Sequence, residues 1–348
     1  MAPEDLRDVV RAFREYCGIF MEMDGPPGLN VAIANAGGLV DHFSAGFSDL
    51  FSAEPSTPDD IYYLATTTKP MTATIAVALT TLQGRDRLRR SLGRTLHPLF
   101  RDLGLFMPLM FAITESGRMV EESDGHMVGA AGHITLETTL RHRSGIAQHS
   151  VWQEPERRRP DNFLDACLDA DPGTTEALIR ENLFSQHAPY NGDLARQRMH
   201  YGNVGYVKLG YALEKVTGAS FADLIRVLIA DPIRRHVPRS LDHFVLSGQF
   251  PRGPEEDQLV RNHWRPWPSQ PHLPLLPYNI EARGGAAGCY GTVTSLALFA
   301  AMLLEDNRVW DRPGGWSNSR ALVNRVALGA LLDARYDPGE TTGYGLGF

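Results

Sequence analysis

Thr66 and Lys69 pair a hydroxyl with an amine at a spacing that suits nucleophilic chemistry. Both lie in the stretch ATTTKP at residues 65–70. Residues three apart on a helix share one face, so the two side chains can lie within reach of each other. The hydroxyl can then attack a carbonyl carbon while a buried, neutral lysine accepts its proton. The stretch therefore reads as a Ser-x-x-Lys acylation motif with threonine in its first position.

Pro70 predicts where the helix that carries this pair begins. Proline is best tolerated in the first turn of a helix, where its missing N–H would be unpaired in any case. We expect the helix to start close to residues 66–68, to continue through the apolar stretch 71–82 and to end near Gly84. The Thr66 hydroxyl would then lie at the positive end of the helix dipole, which favours a developing alkoxide. An ordinary threonine-rich helix start is the alternative interpretation.

Tyr201 and Asn203 form a second candidate pair on a glycine-interrupted loop before a predicted helix. Tyrosine can transfer a proton, and asparagine can hydrogen-bond an amide or a lysine amine. Two side chains placed in this way can both face a cleft. A core tyrosine followed by a capping asparagine is the alternative interpretation.

The elements that must position these residues can be predicted from periodicity. Helical spacing of apolar residues predicts a first helix over residues 5–22, and two short strands over 29–34 and 39–47 are joined by a turn at 35–38. Residues 61–64 (IYYL) lead into the ATTTKP stretch. The middle, from about 90 to 280, is predicted to be mainly helical with long loops. Residues 251–277 hold seven prolines and form a surface loop or the rim of a cleft.

Composition narrows the classes of function. The chain has 348 residues and a net charge of −7, which argues against a general nucleic-acid-binding surface. Three widely spaced cysteines, Cys17, Cys167 and Cys289, indicate free thiols rather than a disulfide framework or a metal cluster. No long apolar run or secretory signal is visible, so a cytoplasmic protein is expected unless a leader has been removed.

Five segments, taken in order, resemble the serine beta-lactamase-like superfamily. The resemblance is strongest to class C beta-lactamases, family VIII esterases, D-stereospecific aminopeptidases and related acyltransferases. The segments are residues 61–73, 140–146 (LRHRSGI), 201–203 (YGN), 283–288 (RGGAAG) with 295–304, and 343–348 (GYGLGF). They span nearly the whole chain, and the ordered set is far more specific than any one motif.

The resemblance implies an α/β (α+β) fold, in which an antiparallel sheet is flanked by helices beside a mainly helical lobe. Residues 1–70 and 283–348 would form the sheet-containing lobe and residues 71–282 the helical lobe of one catalytic domain. The implied activity is an acyl-transfer hydrolase, esterase-like or amidase-like, acting on a small ester or amide. No cofactor, metal, nucleic acid or membrane is implied, and the oligomeric state is left open.

The resemblance also implies a role for each candidate residue. Thr66 takes the nucleophile position and Lys69 the position of the activating lysine. Tyr201 takes the proton-shuttling position, and Asn203 is its polar partner. The backbone N–H of Thr66 would be one oxyanion donor.

Two departures from the family pattern leave alternatives open. Thr66 carries a methyl group that serine lacks, which restricts χ1 and crowds the path of attack. The family's third motif, Lys/His-x-Gly on a strand, is expected shortly after Phe348, so this sequence is a fragment, or the protein is damaged or completed by a partner. The alternatives to a hydrolase are an inactive homologue that binds a small ligand or a partner, and a biosynthetic acyltransferase.

Overall fold

The computed structural model describes residues 3–23, 25–35, 37–109, 134–144, 199, 201–235, 244–261, 263–264, 273–274, 284–303, 329, 331, 333, 335–336 and 343–347. Several residues of the predicted segments lie outside this described part. They are residues 145–146, 283, 304 and 348, together with Cys167 and most of the proline-rich segment after residue 261.

The described part of the chain contains both helices and strands. The helices are α1 Pro3–Glu22, α2 Thr68–Thr80, α3 Leu82–Leu92, α4 Pro98–Leu103, α5 Leu136–Leu140, α6 Asn203–Thr217, α7 Phe221–Ile225, α8 Asp231–Arg234, α9 Pro254–Asp257, α10 Gly284–Ala287 and α11 Val293–Leu303. The strands are β1 Gly28–Asn35, β2 Gly38–Asp49, β3 Glu54–Pro55, β4 Ile61–Tyr63, β5 Leu246–Ser247, β6 His263–Trp264, β7 Leu273–Pro274, β8 Tyr290–Thr292, β9 Arg335–Tyr336 and β10 Gly343–Tyr344.

The first strands form the predicted hairpin. β1 pairs antiparallel with β2 from Gly28↔Gly46 to Asn35↔Gly38, and β3 extends the sheet on the far side of β2. The tight turn is closed by the Asn35 side chain, whose Oδ1 accepts the Gly37 N–H at 2.7 Å. Gly38 has φ +112°, a backbone conformation that residues with a Cβ rarely adopt. Turn chemistry and strand alternation therefore place the hairpin where the sequence predicts it.

Helix α1 packs one face on this hairpin. Cys17 is buried, and Arg14, one turn earlier, donates to Asp41 Oδ2 at 2.7 Å. The Arg14 guanidinium also lies 4.7 Å from the ring centroid of Phe43 on β2. These contacts hold α1 against the sheet, whereas Val9, Phe13 and Phe20 of the apolar face that predicts the helix are exposed.

A second antiparallel sheet has the strand order β4-β8-β5. Ile61 of β4 pairs with Thr292 of β8, which leads directly into α11. The Thr292 hydroxyl accepts the Ser295 N–H at 3.2 Å, and α11 packs against the β1–β2 hairpin. The second sheet thereby brings the segment before α2 beside the segment after α10.

Helix α2 lies at the centre of the core. Every residue from Thr68 to Leu79 except Pro70 is buried, eleven in total. Burial on all sides is expected for a largely apolar helix. Its end differs from the prediction, because Thr81 is the N-cap of α3 and Gly84 lies inside that helix. A Cβ at Gly84 would lie 2.1 Å from the Ala78 carbonyl oxygen, so glycine lets α3 fold back tightly on α2.

Helices α6 and α10 approach each other closely beside α2. A Cβ at Gly210 would lie 2.5 Å from the Gly285 nitrogen, and one at Gly285 would lie 2.6 Å from the Tyr206 carbonyl oxygen. Glycine at both positions lets the two backbones touch. This contact sets the distance between the start of α6 and the α10 turn.

The architecture confirms the predicted fold class, a mixed α/β protein with antiparallel sheets and many helices. The division into a sheet-containing lobe (1–70 and 283–348) and a helical lobe (71–282) stays a prediction. In the part of the chain that is described, no helix has both the length and the apolar character that crossing a bilayer requires.

Candidate active site

A strained turn presents Thr66 at the start of α2. Residues Ala65–Thr67 form one turn of 3₁₀ helix between β4 and α2. Ala65 has φ 48°, in the left-handed region that residues with a Cβ disfavour. The Thr67 hydroxyl donates to the Leu64 carbonyl oxygen and the Leu64 N–H donates to Cys289 O at 2.9 Å, which anchors the turn. Thr66 is left exposed at the positive end of the helix.

Lys69 is buried one turn further on, with 2% of its surface exposed. Its Nζ donates to Asn203 Oδ1 at 2.7 Å and to the Ala286 carbonyl oxygen at 3.1 Å. Both acceptors are neutral, so these hydrogen bonds bring no opposite charge to offset the loss of hydration. Burial lowers the pKa of Lys69 from 10.5 to about 8. A useful fraction of the amine is therefore neutral near physiological pH and able to accept a proton.

Tyr201 lies beside the side chains of both Thr66 and Lys69. Its side chain hydrogen-bonds the side chain of Thr66, and its ring centroid lies 4.9 Å from Lys69 Nζ. Burial raises the pKa of Tyr201, while the bond to Thr66 lowers it. The structure therefore brings together the four residues that the sequence singled out, Thr66, Lys69, Tyr201 and Asn203.

The amine of Lys69 lies between α6 and α10, because it donates to Asn203 on α6 and to the Ala286 carbonyl oxygen on α10. Thr72 Oγ1 on α2 donates to the Gly285 carbonyl oxygen at 2.7 Å, and the buried Thr68 hydroxyl accepts the Cys289 N–H at 3.2 Å. These two bonds hold the Ala286 carbonyl oxygen against Lys69. The RGGAAG segment therefore contributes a backbone acceptor, which no side-chain pattern in the sequence could reveal.

The segment after β10 also returns to this region. Gly347 is buried, and a Cβ there would lie 2.5 Å from Ala73 Cβ on α2 and 3.2 Å from the Lys69 carbonyl oxygen. Its φ of +85° likewise requires glycine. The glycines of the GYGLGF segment thus allow the backbone to lie directly on the helix that carries Lys69.

An aromatic cluster beside Tyr201 includes three side chains, His142, Tyr206 and Tyr344, to which the sequence assigns no role. The buried His142 ring is 4.6 Å from the Tyr201 ring, 4.8 Å from Tyr206 and 5.0 Å from Tyr344, measured between centroids. The Tyr206 hydroxyl donates to Leu140 O at 2.7 Å and also bonds the Tyr344 hydroxyl. Burial raises the pKa of Tyr344 to about 12. The only sequence signal was that three of these residues lie in or beside the motif segments.

The arrangement can support covalent acyl transfer. An exposed hydroxyl lies at the positive end of a helix, and an amine with a lowered pKa lies on the next turn. The Tyr201 side chain bonds the hydroxyl and places its ring 4.9 Å from the amine.

Comparison with known proteins decides the family. A family model described as Beta-lactamase matches residues 7–348. The chain belongs to the beta-lactamase family. The resemblance to the serine beta-lactamase-like superfamily, predicted from five ordered segments, is confirmed by this match.

Individual relatives of this beta-lactamase family member are distant. It is 23% identical over 223 residues to penicillin-binding protein 4* of Bacillus subtilis (strain 168). The aligned region covers 62% of this chain and 40% of that protein. The chain thus spans less than half of the length of that relative.

Solved structures share the fold. The class C beta-lactamase from Rhodobacter sphaeroides superposes with a TM-score of 0.56 at 16% identity, covering 93% of this chain and 70% of that one. The D-amino acid amidase from Ochrobactrum anthropi SV3, complexed with L-phenylalanine, gives 0.54 at 17% identity, covering 92% and 74%. The fold is therefore that of a family whose structural neighbours include hydrolases.

Proposed function

We propose that this beta-lactamase family member is an acyl-transfer hydrolase that acts on a small ester or amide through a covalent acyl-enzyme at Thr66. The observation that carries the proposal is the setting of Lys69, whose buried amine is held between two neutral carbonyl oxygens. Burying a lysine against neutral acceptors costs stability, and the cost is understandable if the neutral amine is used as a base.

Acylation would begin with attack of Thr66 Oγ1 on the carbonyl carbon of the substrate. A new C–O bond forms, the carbonyl π electrons move to the oxygen, and the hydroxyl proton passes to Lys69 Nζ, directly or through Tyr201. The Thr66 N–H at the start of α2 would donate to the oxyanion. Collapse of the intermediate breaks the bond to the leaving group, and Tyr201 delivers the proton to the departing alcohol or amine.

Deacylation would reverse these steps with water as the nucleophile. Water attacks the acyl carbon and loses its proton to the same Lys69–Tyr201 pair. The C–O bond to Thr66 then breaks, the Thr66 oxygen regains the proton, and the carboxylic acid leaves. Each proton taken up in one step is returned in the next, so the site ends in its starting state.

The threonine supports a second candidate function. Its methyl group fixes χ1 and crowds the attack path, and a displacement of about 1 Å can cost on the order of 10²-fold in rate. A homologue that no longer reacts could still bind a small ligand or a partner in the same place. A biosynthetic acyltransferase would keep the chemistry and replace water with an alcohol acceptor.

Covalent labelling tests the proposal. The full chain is treated with a fluorophosphonate probe and assayed on p-nitrophenyl esters, with Thr66→Ala as the matched control. We expect an adduct that peptide mapping places on Thr66 and ester turnover that Thr66→Ala abolishes. An absence of both adduct and turnover in the wild type, with activity appearing only in Thr66→Ser, would identify the inactive homologue. Adding an alcohol acceptor and measuring the ester product separates the acyltransferase from the hydrolase.

A further inference from the structure

We infer that His142 is a positioning residue whose Nδ1 holds the Tyr201-Gly202-Asn203 turn in register with Thr66 and Lys69. The inference rests on the proposed function, because the turn matters for catalysis only if Tyr201 and Asn203 act there. It assigns a role to a side chain from the LRHRSGI segment, 60 residues before the turn in the chain.

The first observation is a single hydrogen bond at the centre of the turn. His142 Nδ1 accepts the Gly202 N–H at 3.2 Å. That N–H belongs to the peptide unit between Tyr201 and Gly202, and Gly202 is in turn the N-cap of α6, where it brings no side chain that could cap the helix. Fixing this one amide therefore fixes the backbone on which Tyr201 and Asn203 both depend.

The second observation is the backbone conformation of His142. Its φ is 55°, in the left-handed region where histidine is uncommon. The position is held by hydrogen bonds on both sides, His142 N to Thr139 O at 3.1 Å and Arg143 N to Thr138 O at 2.7 Å. Strain of this kind persists only where the surroundings impose it, and it often marks a functional part of a protein. Here it turns the imidazole inward, where only 3% of the residue is exposed.

The third observation concerns the protonation state of the ring. An Nδ1 that accepts a hydrogen bond leaves the proton of a neutral imidazole on Nε2. The groups that face the ring are the amine of Lys69 and the phenols of Tyr201, Tyr206 and Tyr344. Burial and the charge of Lys69 lower the pKa of His142 to about 4, which keeps Nδ1 an acceptor at neutral pH. Among the described residues, Nε2 has no hydrogen-bond partner, which leaves Nδ1 as the ring atom that orients the turn.

Geometry connects this bond to the proposed chemistry. The turn supplies Asn203 Oδ1, 2.7 Å from Lys69 Nζ, and the Tyr201 side chain that bonds Thr66. A shift of the turn by about 1 Å would break both contacts, and such a misplacement can cost on the order of 10²-fold in rate. His142 lies outside the proposed route of the proton between Thr66, Tyr201 and Lys69, so its effect would pass through the turn.

Three variants separate the acceptor from the other properties of His142. His142→Asn keeps an acceptor at the δ position and tolerates the left-handed backbone. His142→Leu has the same branched side-chain skeleton as asparagine but no acceptor. His142→Gly has no acceptor either, yet it relieves the backbone strain completely. A role based only on strain would make glycine the best tolerated substitution, whereas positioning by Nδ1 would make asparagine the best.

The first readout is the steady-state kinetics of p-nitrophenyl ester hydrolysis. We expect kcat to fall by roughly 10- to 100-fold in His142→Leu and His142→Gly, while KM changes by less than about threefold. His142→Asn should retain kcat within about fivefold of the wild type. Equal loss in all three variants, or full activity in His142→Gly, would overturn the positioning role.

The second readout does not require turnover. Hydrogen exchange of the Gly202 amide should be about tenfold faster in His142→Leu and His142→Gly than in the wild type, and nearly unchanged in His142→Asn. If exchange follows the acceptor in a protein that hydrolyses no ester, the proposed function fails and the structural role of the bond stands. If the wild type is active, and if the exchange rate and kcat do not differ between variants with and without the acceptor, the inference fails and the proposed function stands.

Discussion

Lys69 Nζ and Asn203 Oδ1 lie 2.7 Å apart although 134 residues separate them in the chain. Lys69 is in the first turn of α2 and Asn203 is the first residue of α6, so the starts of two helices meet at one lysine–amide hydrogen bond. The bond is partly buried, and Thr66 is exposed one turn before Lys69. Substitutions at any of these three residues should therefore change ester hydrolysis, its pH dependence or the stability of the protein.

Replacing Thr66, the proposed nucleophile, distinguishes a slow enzyme from an inactive protein. Thr66→Ser removes the methyl group that crowds the attack path, and we expect ester hydrolysis to rise by roughly 10-fold or more. Thr66→Ala should show no initial burst of p-nitrophenol release and no covalent adduct. The measurement is kcat/KM on a p-nitrophenyl ester together with intact-protein mass. Unchanged turnover in Thr66→Ala would show that hydrolysis occurs elsewhere.

The rate of acylation should depend on pH through Lys69. The pKa of Lys69 is about 8, so about a tenth of the amine is neutral at pH 7 and most of it is neutral above pH 9. The proposed mechanism uses the neutral amine as the base, so kcat/KM should rise about tenfold per pH unit below pH 8 and level off above it. Lys69→Met should remove this limb together with the activity. A flat profile from pH 6 to 9 would contradict the assignment of Lys69 as the base.

Adding a charge at Asn203 should move that profile. Asn203→Asp places a carboxylate where the amide oxygen lies 2.7 Å from Nζ, which favours the charged ammonium and raises the pKa of Lys69. We expect the midpoint of the pH–rate profile to move to higher pH, with activity lost at pH 7 and partly recovered above pH 9. Asn203→Leu, which brings no charge, should instead lose activity across the whole range.

Burial of Lys69 should also make stability depend on pH. Its pKa is about 8 in the folded protein and 10.5 in an unperturbed lysine, so the unfolded state binds more protons between these values. The contribution of Lys69 to the free energy of unfolding therefore rises with pH across this window. From pH 8 to 9.5, wild type should gain about 1.5 kcal/mol relative to Lys69→Met in urea denaturation. No relative gain would indicate that Lys69 stays charged when the protein folds.

Two glycines within helices should respond in opposite directions to alanine. Gly210→Ala places a methyl group 2.5 Å from the Gly285 nitrogen, and we expect a loss of about 1–3 kcal/mol as α6 and α10 separate. Gly18→Ala in α1 is the matched control, because nothing lies within 4 Å of its Cβ. It should raise the free energy of unfolding by roughly 0.5–1 kcal/mol through helix propensity. Equal effects at both positions would show that the α6–α10 contact is not tight in solution.

Local patterns predicted much of the fold because they act over short distances. The helical spacing up to Phe20, the turn at Asn35–Gly38 and the position of Pro70 each determine one element and its boundary. The boundary near Gly84 was misplaced, since the pattern could not show that Thr81 caps a second helix on which Gly84 packs. Close packing between elements leaves no periodic signal in the sequence.

The sequence by itself determined the family and the identities of Thr66, Lys69, Tyr201 and Asn203 as candidates. Only the tertiary structure decided that Lys69 is buried between two neutral carbonyl oxygens, and that the backbone of Ala286 supplies one of them. It also decided that His142 reaches the Gly202 amide. The physical reason is that burial, and the pKa it sets, depends on what surrounds a side chain in space. Those surroundings come from parts of the chain that lie far apart in the sequence.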